Sequence, residues 1–421
     1  MTKISNKSLT SYSLLAFCLS FIGLPIYIYL PSYYADNFGI SLKTMAVILL
    51  VTRLIDAVQD TLFGIMSDKF SHLKKRIICY LSPLLGISFI LLFYPFSTSN
   101  IEIWLTVFLI ATYSIFSIIY INYQSYAVGL SDDYHLKTKI ISYREVSFII
   151  GIIFAAAGPA ILFKYFNQTQ SFLFIGVAYF ILISLFALLF FMFAPSNNSQ
   201  KKKLENTAEK KQHNLRLIGK NPLLRQYFTI FLLNALSSSI PAVLILFFVE
   251  EVIQAQHLVG LFLVLYFFGL LIGVMLWTKL SKILNDKVKT FVISILFTVF
   301  IFIWCYFLGS GDIIFYGIIC ILSGIGFGGD FALSYSILTD IIQKNKLEKI
   351  ESTIFGVTNF IIKFSLTIAS AILIYFIGVL ENDLENKIKF ISFSYALLPI
   401  LFRSLAAFFL YKNLYRKEIS L

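Results

Sequence analysis

Two aspartates, Asp56 and Asp60, stand four residues apart inside a segment that is otherwise apolar and long enough to span a membrane. Residues four apart project from one face of a helix. A carboxylate at the bilayer centre costs at least about 2.5–3.5 kcal/mol on insertion scales, so both groups need a cation, a proton or a basic partner. Arg53 could form a structural ion pair with one of them, but a single guanidinium cannot neutralise two carboxylates. We therefore expect an exchangeable ion, either sodium or a proton, at Asp56 and Asp60.

Two further charged residues are predicted at the same depth. Asp330 and Lys363 each lie ten residues from the cytoplasmic end of their predicted spans, as does Asp56, which is about 15 Å of helix rise. Lys363 could compensate the two aspartates when the ion site is empty and turn toward Asp330 when it is filled. Alternatively, Lys363 and Asp330 form a fixed structural salt bridge. The sequence leaves both hypotheses open.

The segments that carry these charges indicate an all-α integral membrane protein. Of 421 residues, 58% are apolar and only 13% are charged, well below the charged content of a soluble domain. Runs of about 20 apolar residues can cross a hydrocarbon core of roughly 30 Å, and backbone groups in lipid must be satisfied within a helix. We predict twelve spans: 12–34, 43–66, 77–97, 103–127, 141–163, 172–194, 223–249, 258–278, 290–309, 313–340, 353–379 and 391–412.

Basic residues set the expected topology. If both termini are cytoplasmic, 25 of the 34 Lys and Arg residues fall on the inner side and four on the outer side. The net charge of +12 thus reflects loop residues rather than a nucleic-acid surface. We predict two pseudo-symmetric six-helix bundles, residues 1–195 and 222–421, joined by a basic cytoplasmic linker at 196–221. We expect the protein to lie in a bacterial inner membrane, as a monomer.

The second span resembles that of a known transporter family. Arg53, Asp56, Ala57, Gln59 and Asp60 are similar to the pattern Arg-x-x-Asp-Ala-x-Asn-Asp of the glycoside–pentoside–hexuronide:cation symporters, the melibiose permease family of the major facilitator superfamily. The resemblance extends to the fifth span at Tyr143-Arg144 and to the eleventh span at Lys363, and it covers most of the chain.

The resemblance implies a major facilitator fold and a set of ion-coupling residues. In the family, the two aspartates of span 2 bind the coupling sodium ion or proton, and the span-11 lysine lies close to them; these roles fall to Asp56, Asp60 and Lys363. Gln59 replaces the usual Asn, and Ser117 takes a span-4 hydroxyl position, so the ion preference could differ. Arg53, Arg144 and Asp330 complete the expected charge network.

The substrate positions depart further from the family. Ser20 and Tyr120 stand where the melibiose permease pattern has sugar-binding aspartates, and Gln124 replaces a tryptophan. A galactoside is therefore not expected, although Tyr27 and Arg144 could also line the substrate cavity. The resemblance implies symport of a small organic solute. The alternative is a carrier of an amphipathic substrate such as a lysolipid, drug, siderophore or peptidoglycan fragment.

A loop motif follows span 2. Gly64-Ile65-Met66-Ser67-Asp68-Lys69, with basic residues at 74–76, resembles the superfamily motif Gly-x-x-x-Asp-Arg/Lys. In the superfamily this loop latches the cytoplasmic side of the carrier when it faces outward. A helix end followed by cytoplasmic anchoring charges would leave the same pattern, so the sequence does not separate the two interpretations.

Other classes of protein fit the sequence poorly. An intramembrane aspartyl protease would need Gly-x-Gly-Asp, but Phe327 occupies the first glycine position before Asp330. No Gly-rich loop with a lysine follows a strand, so ATP-driven transport is not expected. The four cysteines lie in apolar spans without CxxC spacing. We expect no enzymatic activity and no cofactor, with a coupling ion, a small-molecule substrate and the lipid bilayer as the only partners.

Overall fold

The computed structural model describes residues 6–96, 100–130, 134–163, 165–194, 214–380 and 383–412. These residues contain helices and no β-strand, which confirms the predicted fold class. The α-helices are α1 Asn6–Phe21, α2 Leu30–Phe38, α3 Leu42–Lys69, α4 Lys74–Phe93, α5 Ile101–Tyr126, α6 Tyr134–Leu162, α7 Gln168–Phe193, α8 Asn214–Lys220, α9 Pro222–Phe247, α10 Val259–Leu284, α11 Lys287–Ile303, α12 Ile313–Gly329, α13 Tyr335–Lys344, α14 Glu351–Val379 and α15 Leu384–Leu410.

Each of the twelve predicted spans overlaps at least one helix. Within the described ranges, nine helices are long and apolar enough to cross a membrane, judged by length and composition. The helix α3 carries several charges in its length, among them Arg53, Asp56 and Asp60, as an ion-binding span would. The number twelve stays a prediction.

Within the described residues, three complete π-helical turns interrupt or follow the α-helices. These turns lie at Pro25–Tyr29, which separates α1 from α2, at Phe248–Val252 after α9, and at Asp330–Ser334 between α12 and α13. Such insertions widen the helix locally and are frequent at functional sites. One of them begins at Asp330, an acid that the sequence had already placed in the membrane.

The chain divides into two compact units. The first comprises the described residues of Met1–Lys211 together with Lys346–Val357, and the second those of Gln212–Asn345 with Thr358–Leu421. The first unit therefore includes the beginning of α14, a segment that the sequence assigns to the second bundle. The predicted linker at 196–221 is described only from residue 214 onward, so its remainder and the bundle boundaries stay predictions.

Each unit has its own core. In the first unit, α1 packs on α6 and α7, while α4 packs on α5 and α7. A cluster of aromatic rings fills its centre, including Tyr33, Phe93 and Phe172, with Phe93 stacked on Phe172 at 4.3 Å between ring centroids. The Tyr33 hydroxyl donates to the Phe93 carbonyl at 2.8 Å, so this buried polar group is satisfied.

Glycines set the closest approach in the second unit. A Cβ atom built on Gly269 or Gly273 of α10 would collide with the backbone of α12 at Ile321 or Ile325. The same holds in reverse, because a Cβ on Gly328 would collide with the backbone of Gly273. Small residues let two helix backbones touch in this way, which is why α10 and α12 form the most extensive helix pair of the unit.

Candidate functional site

The two carboxylates of α3 lie on its buried face. The side chains of Asp56 and Asp60 are 7% and 0% exposed, respectively, although α3 presents Leu54, Val58 and Leu62 to the outside. This division follows from the four-residue spacing, which directs both acids inward on successive turns. The predicted arrangement of Asp56 and Asp60 on one helix face is therefore present.

A hydroxyl of α5 and an amide of α3 itself contact Asp56. The Ser117 hydroxyl donates to Asp56 Oδ1 at 3.1 Å, and the Gln59 amide nitrogen lies 3.4 Å from the same oxygen. The Ser114 hydroxyl in turn donates to the Gln59 amide oxygen at 3.0 Å. The sequence proposed Gln59 and Ser117 for this site but missed Ser114. Its three-residue spacing from Ser117, which places both on one helix face, was the available signal.

This set of groups suits a proton or a small hard cation. Carboxylate, hydroxyl and amide oxygens are the ligands that hard cations take in proteins. Within the described ranges, no three residues of the His, Cys, Asp and Glu types cluster as a metal centre. An ion at this place would be held by the two carboxylates and the Ser117 hydroxyl, and both the site and the identity of its ion stay predictions.

The helix α3 touches the beginning of α14 without intervening side chains. A Cβ atom on Gly356 would lie 2.5 Å from the Asp60 carbonyl oxygen, and one on Gly64 would lie 2.5 Å from the Ser352 carbonyl oxygen. Both distances are too short for any other residue unless the backbone shifts. Two glycines, one from each helix, therefore hold the backbone of Asp60 directly against α14.

The loop motif after span 2 has a defined contact. Asp68 accepts hydrogen bonds from the backbone nitrogens of Ser352 and Thr353, both at 2.8 Å, and from the Thr353 hydroxyl at 2.5 Å. A carboxylate at the first turn of a helix satisfies free N–H groups and meets the positive end of the helix dipole. Asp68 is thus the cap of α14, an assignment that the sequence motif alone did not make.

A buried ion pair lies beside this cap. Lys74 Nζ is 2.6 Å from Glu351 Oε1 and 2.7 Å from the Ser125 hydroxyl, and the lysine and glutamate side chains are 0% and 1% exposed. The Ser67 hydroxyl donates to the Asn122 amide oxygen at 2.7 Å. We call Ser67, Asp68, Lys74 and Glu351 the loop cluster. The sequence predicted Lys74 only as a loop charge and did not single out Glu351.

Arg144 of α6 is buried and is paired with its neighbour in sequence. Its guanidinium forms an ion pair with Glu145, and the Nε–Oε1 distance is 2.8 Å. Both side chains are almost completely buried. The sequence had proposed Arg144 for the charge network and for the substrate cavity, without naming Glu145. The pair places Arg144 in a charge network, while its contact with substrate stays a prediction.

The other predicted cavity residues differ in their surroundings. The Ser20 hydroxyl donates to the Phe17 carbonyl at 2.9 Å and abuts Gly151, where a Cβ atom would collide with it. Tyr120 is half-buried and stacks on Phe116 at 5.3 Å between ring centroids.

Gln124 is fully buried, and the side chain of Tyr27 lies outside the described part of the chain. The role of these residues in a substrate cavity stays a prediction.

Asp330 has a different partner from the one expected. Its carboxylate forms an ion pair with Arg403 of α15 and accepts a hydrogen bond from the Asn234 amide of α9. Arg403 also contacts the Asn234 amide oxygen at 3.2 Å and lies over the Phe327 ring at 4.1 Å from its centroid. A fixed Asp330–Lys363 salt bridge is therefore wrong: equal depth along two helices does not establish that their charged side chains face each other.

Arg403 is a residue that the sequence argument overlooked. It is a charged side chain inside the last predicted span, which was itself sufficient reason to examine it. Lys363, in contrast, is half-buried on α14 and belongs to the second unit. Its proposed partnership with Asp56 and Asp60 stays a prediction, as does a partner for Arg53.

Comparison with known families and structures agrees with this architecture. The model of one family, described as MFS/sugar transport protein, matches residues 11–415. A search of the curated proteins finds no matching relative.

Among solved structures, a bacterial homologue of the iron transporter ferroportin, in an outward-facing state with soaked iron, is similar with a TM-score of 0.72. Its sequence identity is 14%, and the match covers 97% of this chain and 99% of that one.

Two sugar symporters are similar in fold. The Escherichia coli fucose:proton symporter has a TM-score of 0.70 at 16% identity, with 96% of this chain and 97% of that one covered. A major facilitator proton:xylose symporter bound to 6-bromo-6-deoxy-D-glucose has a TM-score of 0.68 at 13% identity, with 96% and 95% covered. At these identities the likeness establishes the fold alone.

Proposed function

The chain belongs to the MFS/sugar transport protein family, and from this premise we propose that it is a symporter driven by a sodium ion or proton bound at Asp56 and Asp60. As a family member it is an integral membrane secondary transporter rather than an enzyme. The finer resemblance to the glycoside–pentoside–hexuronide:cation symporters supports the coupling assignment but is not established by the family match.

One observation carries the proposal: two buried carboxylates lie one turn apart on α3, and one of them, Asp56, contacts a serine hydroxyl and an amide. Leaving either charge uncompensated in the hydrocarbon region costs at least about 2.5–3.5 kcal/mol. A cation or proton that binds between them removes that penalty. Binding shifts the conformational equilibrium only by the difference in ion affinity between the two transport states, so the proposal requires that this site bind the ion more tightly in one of them.

The loop cluster supplies the second part of the proposed mechanism. The carboxylate of Asp68 and the Lys74–Glu351 pair both attach α3 and α4 to the first turn of α14. The helix α14 begins in the first unit and continues into the second. Alternating access would require these buried contacts to break and re-form, so we infer that the cluster stabilises one of the two transport states.

A small organic solute is the proposed substrate. The family description names sugar transport, and the similar structures include proton-coupled carriers of xylose and fucose. A monosaccharide is therefore the first class to test, while the replacement of the family's sugar-binding acids by Ser20 and Tyr120 argues against a galactoside. In the second unit, the Arg403 guanidinium could donate hydrogen bonds to a solute and the Asp330 carboxylate could accept them.

The test is uptake by proteoliposomes. Radiolabelled xylose, fucose and a lysophospholipid would be offered with an imposed sodium gradient, a proton gradient or neither. We expect one solute to accumulate above its external concentration with only one of the two gradients. Asp56→Asn and Asp60→Asn should each abolish that accumulation.

Asp286→Asn is the matched control, because Asp286 caps α11 from outside the site and asparagine caps a helix equally well. It should accumulate solute like the unaltered protein. Accumulation by Asp56→Asn at the level of the unaltered protein would refute the coupling site.

A further inference from the structure

A groove lies in the first unit between α1, α6 and α7. Its volume is about 360 Å³, within the range of small-molecule sites. The helix α1 packs on both α6 and α7, and it forms the floor of the groove with Phe17, Cys18 and Phe21. None of the ion-coupling residues or loop-cluster residues lines the groove. It is therefore distinct from the site proposed above.

The groove runs along the two helices that form its walls. On α6 it is lined by Phe154, Gly158 and Leu162, whose four-residue spacing places them on one helix face. These positions cover about 12 Å of helix rise, and so do the outermost lining residues of α7, Phe174 and Leu182. The groove is therefore elongated, with its axis along the helices.

The groove offers a ligand almost no polar surface. Its lining is apolar apart from Cys18 and Tyr179, and Cys18 is only 1% exposed. The Tyr179 hydroxyl is buried away from the groove, so this residue presents its ring to a ligand. A polar solute would lose its hydration in the groove without gaining hydrogen bonds in return. The lining therefore selects a hydrocarbon.

The groove opens sideways toward lipid. Small residues, Gly158 of α6 and Ala178 of α7, lie at the middle of its walls, and a Cβ atom on Gly158 would meet no heavy atom within 4 Å. At the rim, Phe154 and Phe174 are 58% and 50% exposed. Both walls fall in the half of their predicted spans that is nearer the α6–α7 connection. The groove thus lies at the depth of one leaflet, whose hydrocarbon is about 15 Å thick.

We propose that this groove binds one acyl chain of a phospholipid from that leaflet. An acyl chain is unbranched, carries no polar group along its length and runs roughly parallel to spanning helices. It therefore matches the length, the lining and the opening of the groove together. A compact ring would leave part of the length of about 12 Å unfilled and would forfeit dispersion contacts there. The proposal does not depend on the transport function, because the coupling site takes no part in it.

The floor on α1 distinguishes a bound chain from lipid that only surrounds the protein. Surrounding lipid touches the exposed rim residues Phe154 and Phe174 whether or not the groove is filled. A chain contacts Phe17 and Cys18 from the groove only when it lies between α6 and α7. Contact with this part of α1 is therefore the signature of the bound chain.

Photolabelling in proteoliposomes tests the proposal. The probe is a phosphatidylcholine with a diazirine near the middle of one saturated chain, which inserts into neighbouring bonds on irradiation. Digestion and mass spectrometry would map the labelled residues. We expect label on the Phe17–Phe21 segment of α1 as well as on the rim. Hexadecane added to the bilayer should reduce the α1 label, whereas the same mass of adamantane, a compact hydrocarbon, should not.

Two variants fill the groove from opposite walls, so that the test survives if one of them fails to fold. Gly158→Leu and Ala178→Leu should each abolish the α1 label and leave label on the rim. Gly260→Leu is the matched control, because it makes the same change at a glycine of α10 that also has free space, and it should keep the α1 label.

Absence of label from α1 in the unaltered protein would overturn the proposal. So would a folded Gly158→Leu or Ala178→Leu variant that keeps the α1 label. Equal competition by adamantane and hexadecane would show that the cavity takes compact hydrocarbons, and would equally refute an acyl-chain site.

Discussion

The Lys74–Glu351 pair should behave as a coupled unit whose halves cannot be removed separately. At 2.6 Å with an effective dielectric constant of about 20, the attraction is roughly 6 kcal/mol, most of which offsets the cost of burying both charges. Removing one partner leaves an uncompensated buried charge, which costs about 3–5 kcal/mol. Lys74→Met and Glu351→Gln should each lower stability by that amount.

The double variant Lys74→Met/Glu351→Gln should be more stable than either single variant, because neither charge remains. Thermal unfolding of the detergent-solubilised protein, followed by intrinsic fluorescence, would give the order of midpoints. The exposed pair Lys389–Glu385 is the matched control, since its side chains are 68% and 79% exposed and the same substitutions there should leave the midpoint unchanged. A double variant that is destabilised by the sum of the two single effects would refute the reasoning.

Three further outcomes follow from the same contacts. Ser117→Ala removes a hydrogen bond of about 1 kcal/mol that stabilises the ion-free Asp56 carboxylate and should therefore lower the ion concentration for half-maximal uptake about fivefold, measured in the proteoliposome assay. Gly356→Val should destabilise the protein by about 1–3 kcal/mol or more, because its side chain would overlap the Asp60 carbonyl; a thermal midpoint equal to that of the unaltered protein would contradict this. A cysteine placed at Lys210 should resist an impermeant reagent added outside intact cells, and its labelling there would reverse the predicted orientation.

The sequence was sufficient to predict the features that repeat along the chain or follow the period of a helix. Long apolar runs predicted the helical membrane fold, and a four-residue spacing predicted that Asp56 and Asp60 share a buried face. The prediction that Ser117 lies close to Asp56 came from a family resemblance rather than from residue spacing. That assignment needed knowledge of how α3 meets α5, which composition does not contain.

Pairings between distant segments were beyond the sequence argument. Asp330 and Lys363 were matched by depth, but rotation about the helix axis decides which side chain an acid meets, and Asp330 meets Arg403. The same limit applied to Glu351 and to the contact of Gly64 with Ser352, which join residues nearly 300 positions apart. Neither hydropathy nor a local motif carries that information.

The interlocked glycines of α10 and α12 have a mechanical consequence. The backbones of α10 and α12 are in direct contact at Gly269, Gly273 and Gly328, with no layer of side chains between them that could re-pack. These two helices should therefore move as one rigid body. In the same unit, α9 and α15 each contain an internal proline, Pro241 and Pro399, which removes a helix hydrogen bond and permits bending. In this unit, we therefore expect bending mainly in α9 and α15, the helices that carry Asn234 and Arg403. Bending of α9 or α15 would strain the contacts of Asp330 with Asn234 and Arg403, while the contact between α10 and α12 stays unchanged.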